Sequence, residues 1–213
     1  MRDLAVLLAI LLAIGLTFAY PYVGVLSWTW FTIMNPHQEA YGFARTAPLN
    51  FALSLVTIAV WIFSKERKIP PLNFALVMTL ILLFWMTVNS FFSLDPDWSW
   101  PLWDRTWKIY ALGLLIAATA VNKARIHALI WIIVASLAYY GAKGGIFTVM
   151  TGGHFHVVGP PATIIGDNNQ LALALLMAIP LANYLRLQTE KRWIRLILLA
   201  AIAVSLIRQG VVS

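Results

Sequence analysis

Three of the polar segments that interrupt this apolar chain carry side chains suited to holding an anion or a sugar. The first, from Gly141 to Asn169, is glycine-rich and contains Lys143, His154, His156 and the acid–amide–amide run Asp167-Asn168-Asn169. An Asx cap on the apolar helix that follows accounts for one residue of that run. All three polar side chains together, at an apolar boundary, suit hydrogen bonding to a hydroxylated or phosphorylated ligand. In an extended segment His154 and His156 share a face, the arrangement of a metal pair. With no cysteine in the chain and few acids nearby, no metal is expected. Beside Lys143 the two imidazoles can instead meet a pyrophosphate.

The second segment, Asp95 to Lys108, carries Trp98, Trp100, Trp103 and Trp107 together with Arg105 and Lys108. Two readings compete for it: an interfacial tryptophan belt, or a sugar-stacking surface whose cations contact phosphate. Asp104 is adjacent to Arg105 and reads as a group that positions it. The third segment, Asn35 to Arg45, holds His37, Glu39 and Arg45. Glu39, two residues from a histidine, is a candidate general base, and His156 is the other catalytic candidate. The candidate substrate-binding set is therefore Arg45, Arg105, Lys108, Lys143, His154, His156, Asp167, Asn168 and Asn169. Walker, Rossmann, GxSxG and HExxH signatures are absent.

The elements that must position these residues follow from composition. Of 213 residues, 61% are hydrophobic and 11% charged, with ten tryptophans and no cysteine. Soluble domains average roughly 25% charged residues, so a disordered chain, a disulfide scaffold and an ordinary soluble enzyme are excluded. Apolar runs long enough to cross a bilayer recur, which predicts an all-α polytopic transmembrane bundle of about seven or eight segments. These are Leu4–Tyr20, Val23–Met34, Ala47–Ser64, Asn73–Leu94, Thr106–Val121, His127–Ala142, Gln170–Leu185 and Ile194–Ile207. The second is short, and Trp28, Trp30 and Phe31 suit an interface, so it reads as a tilted, broken or re-entrant piece. Asn89 and Ser90 are expected to hydrogen-bond between helices. Runs such as 111–120 do not alternate, which excludes a transmembrane barrel.

The net charge of +7 reads as topology. Lys65, Arg67, Lys68, Lys123, Arg125, Arg186, Lys191, Arg192 and Arg195 fall in loops on one side, while Arg45, Arg105, Lys108 and Lys143 fall on the other. The nine-cation side is expected to be cytoplasmic, leaving the three polar segments outside. Two crossings before Asn35 would place Met1 outside, against the preference of Arg2, so residues 1–34 read as crossing once or twice. No basic surface interleaved with aromatics points to nucleic acid, and no small-x-small cleavage site follows the first run. No span carries a mid-helix acid, which argues against a proton-coupled transporter.

Several short motifs in order carry a resemblance. They are Met34-Asn-Pro-His37, Tyr41-Gly-Phe-Ala44, Trp103-Asp-Arg-Thr-Trp-Lys108, Lys143-Gly-Gly-Ile-Phe147, Gly159-Pro-Pro161, Asp167-Asn-Asn-Gln170 with its apolar continuation to Met177, and Pro180-Leu181. Together they resemble the O-glycosylation ligases associated with the exosortase A system, within the wider O-antigen ligase and polymerase superfamily. The resemblance implies an inner-membrane glycosyltransferase working on the periplasmic side. It would move a glycan from an undecaprenyl-diphosphate carrier to a hydroxyl on a protein or lipid acceptor, without cofactor or metal. It also implies that residues 1–141 are the N-terminal transmembrane region and 142–213 the outer loop and first helices of the ligase-like region. The chain is then expected to be an N-terminal part of the enzyme, with further catalytic Arg and His beyond it. Relatives often place Arg just before the Val-x-Gly-Pro segment, where this chain has His156. A polymerase extending a lipid-linked polysaccharide is the alternative, and a non-enzymatic lipid or polysaccharide transporter is a third reading.

Overall fold

The structure is a computed structural model that describes residues 2–39, 42–45, 47–65, 70, 73–150, 159, 163 and 165–210. Among these residues it is entirely helical, with eight α-helices. They are α1 (Arg2–Ala19), α2 (Pro21–Met34), α3 (Leu49–Phe63), α4 (Phe74–Phe91), α5 (Pro96–Thr119), α6 (Lys123–Met150), α7 (Asn168–Gln188) and α8 (Arg192–Gly210). Four stretches are long and apolar enough to cross a membrane: Arg2–Ala19, Phe74–Phe91, Lys123–Phe147 and Asn168–Gln188. Leu49–Phe63 is apolar but shorter.

Helix starts follow the local chemistry of the chain. The side chains of Asn73, Asp95 and Asp167 accept from the backbone N–H groups of Leu76, Trp98 and Asn169, at 2.8, 3.2 and 3.0 Å. Pro21 and Pro96 open α2 and α5, where a missing N–H costs nothing. The cap at Asp95 changes the reading of the tryptophan segment. It is not a loop: α5 begins ten residues ahead of the expected Thr106 and carries the tryptophans at helical spacing. Likewise α6 continues through Lys143 to Met150 and crosses the 141/142 division unbroken.

α2 departs most from expectation. It is continuous, and Tyr22, Val25, Trp28 and Phe31 are buried in one core with Ile10 of α1, Leu53 of α3, and Leu112 and Leu115 of α5. Trp28 and Phe31 therefore fill the protein interior and do not face an interface. Fourteen residues span about 21 Å. Tyr20 alone joins α1 to α2, and Asp3 Oδ1 accepts from the backbone N–H groups of Gly42 and Ala44, just past the far end of α2, at 3.0 and 3.2 Å. The two helices are thus an antiparallel hairpin that returns the chain to the end where it began.

Other pairings fix the remaining directions. The Tyr22 hydroxyl donates to the Arg125 carbonyl at the start of α6, and the Tyr140 hydroxyl donates to the Met34 carbonyl at the end of α2. α2 and α6 therefore run parallel. α7 returns beside α6, with Tyr184 against His127 at 2.6 Å and Lys123 donating to Gln188 at 3.3 Å. Two further cores lie between these later helices, one around Leu137, Leu171 and Leu175 and one around Val134, Leu185 and Leu198. The chain ends of α2, α4 and α6 and the starts of α3, α5 and α7 share one end, called here the site end. The starts of α6 and α8 carry Lys123, Arg125, Arg192 and Arg195 and share the opposite, basic end.

Candidate functional site

At the site end a cleft of about 490 Å³ opens between α2, α3 and α5. Its walls are built from several local solutions. α2 stops at Asn35, the one non-glycine residue with positive φ among those described (φ 43°, ψ 53°). Asn tolerates this left-handed conformation better than most side chains. The Asn35 amide donates to the Thr32 carbonyl at 2.7 Å, and Pro36 then begins a single 3₁₀ turn, Pro36–Glu39. That turn lays the His37 ring flat on Phe31, with centroids 5.2 Å apart and planes 5° from parallel. His37 Nδ1 is buried with no hydrogen-bond partner among the described residues. Burial also pushes the His37 pKa below the ordinary histidine value, because a half-buried imidazolium loses hydration without gaining a partner.

α3 contributes Asn50, whose side chain lies 3.4–3.5 Å from the Thr32 hydroxyl, together with Phe51 and Ser54. α5 contributes Pro101, Asp104, Arg105, Lys108, Ile109 and Leu112. Lys108 donates to Asp104 at 2.6 Å, and its ammonium sits 5.5 Å over the Phe51 ring. Asp104 lies in the polar part of α5, ahead of its apolar stretch. The hydrogen bond from Lys108 holds its carboxyl below the usual carboxylate value, against a smaller opposing effect of burial. Arg105 is exposed and makes no hydrogen bond or ion pair among the described residues. The cleft thus presents an open guanidinium, a second cation held by one carboxylate, and two amides, with the His37 ring in its wall. Such a set binds an oxyanion through charge-assisted hydrogen bonds and orients adjoining hydroxyl groups.

Of the residues singled out in the sequence, Arg105 and Lys108 are brought together here, and His37 lines the same cleft. Arg45 is exposed in the short turn Phe43–Arg45 that Asp3 holds, away from the cleft wall. Lys143 is exposed on α6. Asp167 caps α7, with Asn168 and Asn169 in its first turn, so capping rather than the cleft accounts for that acid. From the segment between α6 and α7, Thr163 reaches the cleft. Glu39 falls in the 3₁₀ turn without a described side chain, and His154 and His156 lie outside the described residues. Within that segment Gly159 has a plain steric reason, since a Cβ there would lie 1.8 Å from the Ile165 carbonyl oxygen.

The tryptophans serve packing as well as surface. Phe91, Trp100, Trp103 and Trp107 form a ladder with successive centroids 5.0, 5.5 and 6.2 Å apart, and Trp103 Nε1 donates to the Thr87 hydroxyl at 2.9 Å. This joins α5 to α4. Thr87, not Asn89 or Ser90, makes the bond between these helices: Ser90 donates to Met86 in its own helix and Asn89 is exposed. Sequence reasoning passed over Asn50, Thr32 and Asn35. An amide near the start of the apolar run Ala47–Ser64 was the available signal at Asn50, since such a group needs a partner where water is scarce.

Fold and site together define an all-helical membrane protein with four candidate spans and a cationic cleft at one end of its bundle. Residues 1–190 match a family of unknown function, DUF5935, and the chain belongs to that family. No curated protein and no solved structure matches it.

Proposed function

We propose that this chain supplies the donor-binding cleft of a membrane glycosyltransferase. In this reading the enzyme transfers a glycan from an undecaprenyl-diphosphate carrier to an acceptor hydroxyl. The observation that carries it is Arg105, unpaired among the described residues, in one cleft with Lys108 and His37 at a bundle end. When a glycosyl bond to the diphosphate breaks, negative charge grows on the leaving oxygens, and fixed cations there lower the barrier. Asn35, Thr32 and Asn50 offer hydrogen bonds to the sugar side of the same ligand. The ordered motifs from Met34 to Leu181 support the ligase assignment, and their cation placement supports a bacterial inner membrane with the cleft on the periplasmic face. In such a membrane all eight helices belong to the bundle, α2 and α3 being short members.

The reading is tested by binding of undecaprenyl diphosphate to the reconstituted protein. Replacing Arg105 by Gln removes one charge-assisted contact, about 1.5–3 kcal/mol, and should weaken binding about 10- to 150-fold. Unchanged binding would remove the cleft from consideration. Product length in a transfer assay with lipid-linked donor then separates a ligase from a polymerase.

A further inference from the structure

A second cavity, of about 480 Å³, runs along α4 and α5 below the cleft. Its walls are mostly apolar or small, among them Leu76, Thr79, Tyr110, Gly113, Leu114 and Ala117. Ile109 lines both this groove and the cationic cleft, one helical turn beyond Arg105. From Ile109 to Ala117 the groove descends about 12 Å toward the basic end. The groove is open at Gly113, where an added Cβ meets nothing within 4 Å and only a larger side chain would fill the space.

We infer that this groove receives the isoprenoid tail of the lipid whose diphosphate head occupies the Arg105 cleft. The inference rests on the donor reading proposed above. A cavity of mixed lining that holds Arg105 and Lys108, and an apolar cavity sharing one wall residue with it, match an anionic head joined to an apolar chain. Their order along α5 is also the order such a lipid imposes, with the head at the bundle end and the tail descending within the hydrocarbon. A single groove between two helices suits one tail, as a polyprenyl diphosphate has, and not the two of a glycerophospholipid.

The test measures binding of three probes to the full chain in nanodiscs: undecaprenyl diphosphate, inorganic pyrophosphate and phosphatidylglycerol. Gly113→Phe should weaken undecaprenyl diphosphate about tenfold or more, the factor that loss of roughly two buried methylenes produces. It should leave pyrophosphate unchanged. Gly15→Phe is the matched control, because Gly15 in α1 also faces open space. Helix content and unfolding midpoint, recorded for each variant, show whether it folds. If Gly113→Phe leaves undecaprenyl diphosphate binding intact while Arg105→Gln abolishes it, the tail groove is wrong and the donor cleft stands. If neither substitution matters, both fall. Equal competition by phosphatidylglycerol, or a change of oligomeric state in Gly113→Phe, would give the groove to another occupant and overturn the inference.

Discussion

Gly24 of α2 lies close against Thr17 of α1 and Thr57 of α3, and replacing it by Ala tests how tightly the three helices pack there. The new Cβ would lie 2.6 Å from Thr17 Cγ2, 2.8 Å from Thr57 Oγ1 and 2.9 Å from Thr17 Oγ1. The shortest of these falls roughly 1 Å inside an optimal carbon–carbon contact of about 3.5–4.0 Å. Neither threonine can yield easily. Both are fully buried, and their hydroxyls donate to the Ala13 and Leu53 carbonyls of their own helices at 2.6 and 2.7 Å. Rotating either side chain breaks its hydrogen bond, so the helices must part instead. Overpacking of this kind costs about 1–3 kcal/mol, against a gain of up to about 1 kcal/mol for removing a helical glycine. The net expectation is destabilisation of about 1–2 kcal/mol, read as a shift in reversible unfolding by dodecyl sulfate in mixed micelles. Gly15→Ala, with open space around it, should be neutral or stabilising. Adding Thr17→Ala to Gly24→Ala should recover part of the loss, giving a coupling between the two sites. A Gly24→Ala protein as stable as the parent, or additive effects in the double variant, would refute the argument from close packing.

Two further predictions concern the cleft itself. Asp104→Asn frees the Lys108 ammonium and should raise affinity for inorganic pyrophosphate about two- to fivefold, an exposed ion pair being worth under about 1 kcal/mol; weaker binding, measured by equilibrium dialysis, would contradict this. Because burial lowers the His37 pKa in the folded state, the unfolded chain binds more protons, so stability is present above the ordinary histidine value near 6.5 and declines as pH falls through it toward the folded value; His37→Gln should flatten that part of the unfolding-versus-pH curve, and an unchanged curve would assign the slope to another group.

The sequence showed the helices more clearly than the helix ends. Apolar runs place all eight, since the runs are long and backbone groups in such surroundings pair internally. Capping is subtler. Asp95 followed by Pro96 is a helix start, but the tryptophans and charges beyond it read as a loop because polar residues outnumbered the apolar stripe. α2 shows a different failure. Trp28 and Phe31 look interfacial by type, and only the arrangement of four helices around them makes them core. In the site, Arg105 and Lys108 were visible because a cation pair near a boundary stands out. Asn50 and Thr32 were not, because their meeting depends on how α2 and α3 pack, which no local pattern encodes.

α5 shows how a helix can be long enough to cross a membrane without reading as a span. Its 24 residues reach about 36 Å, more than the roughly 30 Å of bilayer hydrocarbon. Its four ionisable carboxylates and cations, Asp97, Asp104, Arg105 and Lys108, all fall in the first thirteen residues, and none follows from Ile109 to Thr119. A charge within hydrocarbon is costly enough that such groups are kept at boundaries or beside polar cavities. Here Asp104, Arg105 and Lys108 line a cavity, Asp97 lies in the first turn, and among the described residues only Asp104 and Lys108 offset one another through an ion pair. The tryptophan ladder gives a second constraint, because it commits one side of α5 to α4 through Trp103 and Thr87. Arg105 and Lys108 are thereby directed into the cleft with α2 and α3, while Gly113 and Ala117, lower down, border the groove beside α4. One helix therefore has a charged upper half and an apolar lower half, separated at Ile109, and three of its four charged side chains line the cleft.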